Sequence, residues 1–153
     1  MVSKDFERTI RFYEVKDSHG NSVMDRHGKS MWFPIVEAVL LIPAGGRVTL
    51  SLLFDTGANF TTLRADLYPL LGLTSWDQGV SVDTGTGGGR ATAYEYNGQL
   101  EIFGKTINCP IHLLATLQPH PLFCGLLGRH TIFEQFGFGF WEKTCELHVT
   151  TNP

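Results

Sequence analysis

The sequence is poor in the features that several common classes of protein require. Its apolar runs are short, Ala38 to Ile42 being among the longest, against the roughly 20 residues that a membrane-crossing helix needs. No membrane partner is expected. Lysine and arginine together number 12 against 15 acidic residues, for a formal net charge of −3. They are scattered singly and leave no basic face to neutralise a phosphate backbone, which argues against a nucleic-acid partner. Cysteine is scarce: Cys109, Cys124 and Cys145 are an odd number without close pairs, which suits reduced thiols better than a disulfide framework. The opening MVSKDFERTIRFYEV is charged throughout, where a secretory leader needs an apolar centre. The expectation is a cytoplasmic chain that needs no metal, cofactor or disulfide.

Glycine and alternation, by contrast, are plentiful. Glycine occurs 17 times in 153 residues, turn signals recur roughly every ten residues, and the segments between them alternate, which is the all-β pattern. A hydrophobic content of 42% suffices for one domain with an ordinary core. Arg47 to Phe54 alternates most clearly, with Val48, Leu50, Leu52 and Phe54 on one face. Val36 to Ile42 reads as its hairpin partner across PAGG, and Glu7 to Val15 as a more exposed strand closed by DSHGNS. LRADLYPLLGL suits a short helix or turn. VSVDTGTGGGRATAYEY and QLEIFGKTINCPIHLLA read as further hairpins, with Asn97-Gly98 as the strongest type I′ turn signal. GRHTIFEQF suits one amphipathic helix with Ile132, Phe133 and Phe136 on one side, and FGFGFWEKTCELHV a last hairpin. No internal repeat or linker is evident.

The alternating strand runs straight into Asp55-Thr56-Gly57, and the same three residues return at Asp83-Thr84-Gly85. A carboxylate at the end of a buried apolar strand is costly unless something organises it. A following glycine lets the backbone turn tightly, a threonine hydroxyl can anchor the turn, and backbone N–H groups can hold the acid. On local features alone Asp55 could equally open a simple Asx-turn and start a helix at Thr61 or Thr62.

LLFDTGANFTTL resembles the active-site motif of aspartic proteases, in which apolar residues precede D-T-G-A or D-S-G-A and a Ser or Thr follows. CGLLGRH, Cys124 to His130, resembles that family's second signature: two aliphatic residues, Gly, then Arg, opening a helix. In the retroviral-type members, the retropepsins, these elements occur in this order with a glycine-rich flap hairpin between them, where this chain has Gly85 to Gly89. The resemblance covers Val36 to Val149. It implies an all-β fold, a closed acid-protease barrel with one short C-terminal helix and a flap, over residues 36–153. Residues 1–35 are expected to form an N-terminal strand or extension packed on that core.

The resemblance also assigns roles. Asp55 would be the catalytic acid, with Thr56 bonding across a dimer axis and Gly57 offering its carbonyl to substrate. Ala58 and Asn59 would touch a peptide backbone, and Thr84, Gly85, Thr86, Gly87 and Gly88 would close over it as the flap. Asp83 is then a flap residue, since the short span from Asp55 cannot hold a second lobe. Leu126, Leu127, Gly128 and Arg129 would support the active loop. Hydrolysis by this route needs two carboxylates sharing a proton; one chain offers one, so two copies about a two-fold axis are implied. The expected partners are a second copy of the chain and a peptide or protein substrate. Two positions depart from the pattern: Asn59 stands where an acid often pairs with the later Arg, and His130 where Asp or Asn commonly follows it. A retropepsin-fold module that dimerises or binds peptides without cleaving them is therefore the rival expectation.

Other motifs have plainer readings. In Cys109-Pro110-Ile111-His112 a strand turns cysteine and histidine to opposite faces, which predicts a core cysteine and a surface histidine rather than a zinc half-site. Cys124 sits in an apolar stretch with nothing to activate a thiolate. GTGGGR lacks the Lys-Ser/Thr and the helix of a phosphate loop. Phe138 and Phe140 read as one buried strand face.

Overall fold

The computed structural model describes residues 6–153; residues 1–5 of the N-terminal extension lie outside the described residues. Twelve strands account for most of the secondary structure. The alternating segment forms β5 (Arg47–Phe54), paired antiparallel with β4 (Ile35–Leu41) across the PAGG turn. Leu50, Leu52 and Phe54 are buried while Arg47 and Thr49 are exposed, so the period of two translates directly into a core face. Strands β6 (Thr61–Arg64), β7 (Val80–Thr86), β8 (Gly89–Ile102), β9 (Lys105–Leu114) and β10 (Gly125–Leu127) complete one sheet, in the order β4-β5-β10-β6-β9-β8-β7. Because β4 also pairs with β8, at Val39↔Glu101 and Leu40↔Leu100, the hydrogen bonding from β4 through β10 and β9 returns to its start. Leu40, Leu52, Leu100, Ile111 and Leu127 are all wholly buried in one cluster. Truncating any one of them to alanine costs about 2–5 kcal/mol.

The described residues ahead of β4 reach the C-terminal hairpin through β1. β1 (Arg8–Arg11) pairs with β12 (Glu146–Thr151), which pairs with β11 (Phe136–Trp141). Phe12 is buried in the main cluster. Hydrogen bonds from Thr151 to the Glu7 carboxylate hold its pKa below the usual range and tie the two ends of the chain together. Beyond β2 (Tyr13–Glu14), which pairs with β3 (Trp32–Phe33), the chain makes two copies of one turn. Asp17 Oδ1 accepts the N–H groups of His19 and Asn21, and Asp25 Oδ1 those of His27 and Lys29. Asp17-Ser18-His19-Gly20 and Asp25-Arg26-His27-Gly28 are thus a short repeat that the sequence reading passed over.

Several expectations need correction. Asn97 and Gly98 do not turn the chain; they sit inside β8, opposite Pro110 and Cys109. Glycine is needed at 98 because a Cβ there would lie 2.2 Å from Ile111 Cδ1. The turn between β8 and β9 falls instead at Phe103-Gly104, both at positive φ (49° and 79°), between the paired residues Ile102 and Lys105. LRADLYPLLGL needs none: the expected short helix or turn is a 3-10 helix, Ala65–Leu71. The expected amphipathic helix shrinks to one turn, α1 (Ile132–Gln135), and Phe136 belongs to β11. Phe138 and Phe140 do share a face, both packing on Phe54, but Phe140 remains 40% exposed at the rim.

Candidate active site

Asp55 follows the last residue of β5, and its loop is held from below and from one side. Below, Phe54 is buried against Phe133 (centroids 5.5 Å apart), Phe138 (4.7 Å) and Phe140 (5.2 Å). At the side runs β10, parallel to β5 and antiparallel to β6, so it fills the gap between the strands that enter and leave the loop. Leu127 O accepts the Asp55 N–H at 3.2 Å, Ala58 O accepts the Arg129 N–H at 2.9 Å, and Asn59 O accepts the His130 N–H at 2.7 Å. The Gly128 N–H donates to the buried Thr61 Oγ1 at 3.2 Å. Gly128 itself is demanded by close approach: a Cβ there would meet the Phe60 carbonyl carbon at 2.2 Å. Two distant segments with complementary backbone groups thus form one rigid unit. Inside the loop the Gly57 N–H donates to Asp55 Oδ1 at 2.8 Å, fixing the carboxylate's direction.

Asp55 opens onto a cleft of about 1050 Å³. Gly57, Ala58 and Asn59 line it at the loop, and Thr84, Gly85, Thr86, Gly87 and Gly88 line it from the β7–β8 hairpin. That hairpin turns at Gly87-Gly88 between the paired Thr86 and Gly89. Its base is anchored, since Tyr96 Oη accepts from the Gly79 N–H at 2.7 Å and donates to Trp76 O at 2.5 Å. The tip is exposed. Leu126 reaches the cleft, whereas Leu127 and Gly128 are buried behind the loop. Thr56 lies outside the lining, exposed at the turn. Asp83 is exposed in β7 and faces Arg90 across the hairpin at 3.4 Å. Arg129 is exposed, forms no ion pair among the described residues, and lies over the Phe133 ring at 5.9 Å.

One expectation is overturned inside this cleft. His112 is not on the surface but 3% exposed, stacked on Phe60 at 4.3 Å and bonded through Nε2 to Glu95 Oε2 at 2.8 Å. Its ring is covered because Phe60 stacks on it and the Glu95 side chain of the neighbouring strand bonds to it. Both Glu95 and His112 line the cleft, and sequence reasoning missed them as site residues, since only the register of β8 against β9 brings them opposite each other. Cys109 is buried, which pushes its thiol up to about 11, and burial also raises that of Cys124. Neither is poised as a nucleophile. Among the described residues no cluster of three or more His, Cys, Asp or Glu could hold a metal, and no helix is long and apolar enough to cross a membrane.

The fold is similar to that of a retropepsin-like aspartic protease from Rickettsia conorii, with 20% sequence identity, a TM-score of 0.54, and coverage of 84% of this chain and 95% of that one. EIAV protease in complex with an inhibitor aligns at 20% identity and a TM-score of 0.47, covering 70% of this chain and 88% of that one. No protein-family model and no curated protein matches the sequence. The chain therefore has a retropepsin-like, mostly β fold.

Proposed function

We propose that the protein is a homodimeric aspartic endopeptidase in which Asp55 from each chain forms the catalytic pair. The observation that carries this reading is the rigid Asp55 loop, locked by β10 and pointing one oriented carboxylate into a cleft roofed by a glycine-rich hairpin. A water between two such carboxylates would lose a proton to the ionised one as it attacks the scissile carbonyl. The protonated one would donate to the carbonyl oxygen as the tetrahedral intermediate forms. Thr56, exposed at the turn, is free to meet its counterpart on a second copy. The β7–β8 hairpin serves as the flap: anchored at its base and turning on glycine, it can open for an extended peptide and close over it. Ala58 and Asn59 bind the peptide main chain as an added strand would. The ring of strands acts as a closed barrel that carries this floor. Residues 1–35 are an extension whose β1 strand joins β12, and residues 36–153 are the catalytic domain.

A second reading, a peptide-binding module that does not cleave, draws on Asn59 and on the exposed Arg129 without an ion pair among the described residues. The experiment that separates them incubates a diverse peptide pool with the protein and with Asp55→Ala at mildly acidic and neutral pH, reading fragments by mass spectrometry. Fragments from the unaltered protein alone support the protease. None from a species that sediments as a dimer supports the module.

A further inference from the structure

The cleft floor carries a row of residues in register across four strands. Leu126 of β10 faces Thr62 of β6, Thr62 faces His112 of β9, and His112 faces Glu95 of β8. All four line the same cleft as Asp55. The row is apolar beside Asp55 and ends in a carboxylate. His112 is the fixed part of that end: its side chain is 4% exposed and its ring stacks on Phe60, whose own ring also stacks on His130 at 5.0 Å. Glu95 keeps 35% of its side chain exposed, and only one of its oxygens, Oε2, is engaged among the described residues. The one arginine of the lining, Arg90, already faces Asp83.

From this we infer that Glu95, positioned by His112, is the floor of a subsite that selects a lysine or arginine side chain of a bound peptide. The inference rests on the peptide-binding reading of the cleft. An ammonium or guanidinium would supply the donors that the second Glu95 oxygen lacks, and a charge-assisted hydrogen bond in a partly enclosed cleft is stronger than one in open water. The aliphatic stem of a basic side chain would lie beside His112 and Phe60, the part of the lining next to Glu95, on its way there. Three strand spacings separate β10 from β8, roughly 14 Å. The preference therefore falls on a residue flanking the scissile bond, and a two-fold dimer presents it on both sides.

The test uses Asp55→Asn protein, silenced for cleavage, and octapeptide libraries with one position fixed in turn as Lys, norleucine or Glu. Fluorescence anisotropy is expected to show Lys bound about tenfold more tightly than norleucine at one flanking position and at its symmetry-related counterpart. Adding Glu95→Gln should erase that ratio, and Glu95→Lys should turn it toward Glu. His112→Phe, which keeps the stack on Phe60 but not the hydrogen bond, should lower the ratio while far-UV circular dichroism stays the same. Equal binding of the three libraries, a Lys preference that survives Glu95→Gln, or no binding at all overturns the subsite. Because this readout needs no turnover, a Lys preference here together with no cleavage of any peptide by the unaltered protein would keep the subsite and sink the protease reading. Cleavage without regard to basic residues would do the reverse.

Discussion

Asp55-Thr56-Gly57 and Asp83-Thr84-Gly85 are the same tripeptide in two unlike settings. The first lies at the end of a buried strand, its carboxylate bonded by the Gly57 N–H and its loop clamped by three backbone hydrogen bonds, one donated to Leu127 O and two accepted from Arg129 and His130. The second runs through an exposed hairpin strand, paired residue for residue with Thr92, Ala91 and Arg90 of β8, and its acid meets only an exposed arginine. The glycines differ as well. A Cβ on Gly57 would stand 3.2 Å from Asp55 Oδ1, whereas one on Gly85 would meet nothing within 4 Å. A motif of three residues thus specifies chemistry only when distant segments supply its hydrogen-bond partners.

Exchanging the two acids should produce the largest contrast. Asp55→Asn is expected to lower kcat for peptide cleavage by about 10³-fold or more, and Asp83→Asn to change it by less than about threefold, measured on one peptide under the same conditions. Next comes the clamp. Gly128→Ala should cost about 3 kcal/mol in urea unfolding, because the new methyl meets backbone rather than a movable side chain. Gly85→Ala should stay within about 0.5 kcal/mol. A smaller contrast is expected between two threonines. Thr61→Val removes the acceptor of the Gly128 N–H at a 1% exposed position, for about 1–3 kcal/mol. Thr84→Val on the hairpin should be nearly neutral by the same measurement. If the hairpin variants proved as costly as the loop variants, the contrast between the two tripeptides would dissolve.

The parts of this arrangement that depend on local pattern could be read from the chain. The alternation of β5 predicted its buried face and the glycine cluster at Gly85 to Gly89 a hairpin tip, whereas only the resemblance of Cys124 to His130 to an aspartic-protease signature, and no local pattern, implied that Leu126-Leu127-Gly128 lies beside the Asp55 loop. What depended on register could not be read. Asn97-Gly98 is a strong turn signal by composition, yet continuous pairing with β9 and the tight approach of Ile111 keep it in a strand. His112 was assigned outward by simple alternation, but Phe60 and Glu95, remote in sequence, bury it. The pairing of β1 with β12 joins the two ends of the chain, and no periodicity within either end announces it.

The central claim is that two Asp55 carboxylates, one from each copy, make one active site, and mixing subunits tests it most directly. Unaltered protein and Asp55→Asn protein are unfolded together in varying ratio, refolded at constant total concentration, and assayed for cleavage of a single peptide. A shared site predicts activity falling as the square of the unaltered fraction, to about one quarter in an equal mixture. A linear fall, to about one half, would mean that each chain works alone and would contradict the account.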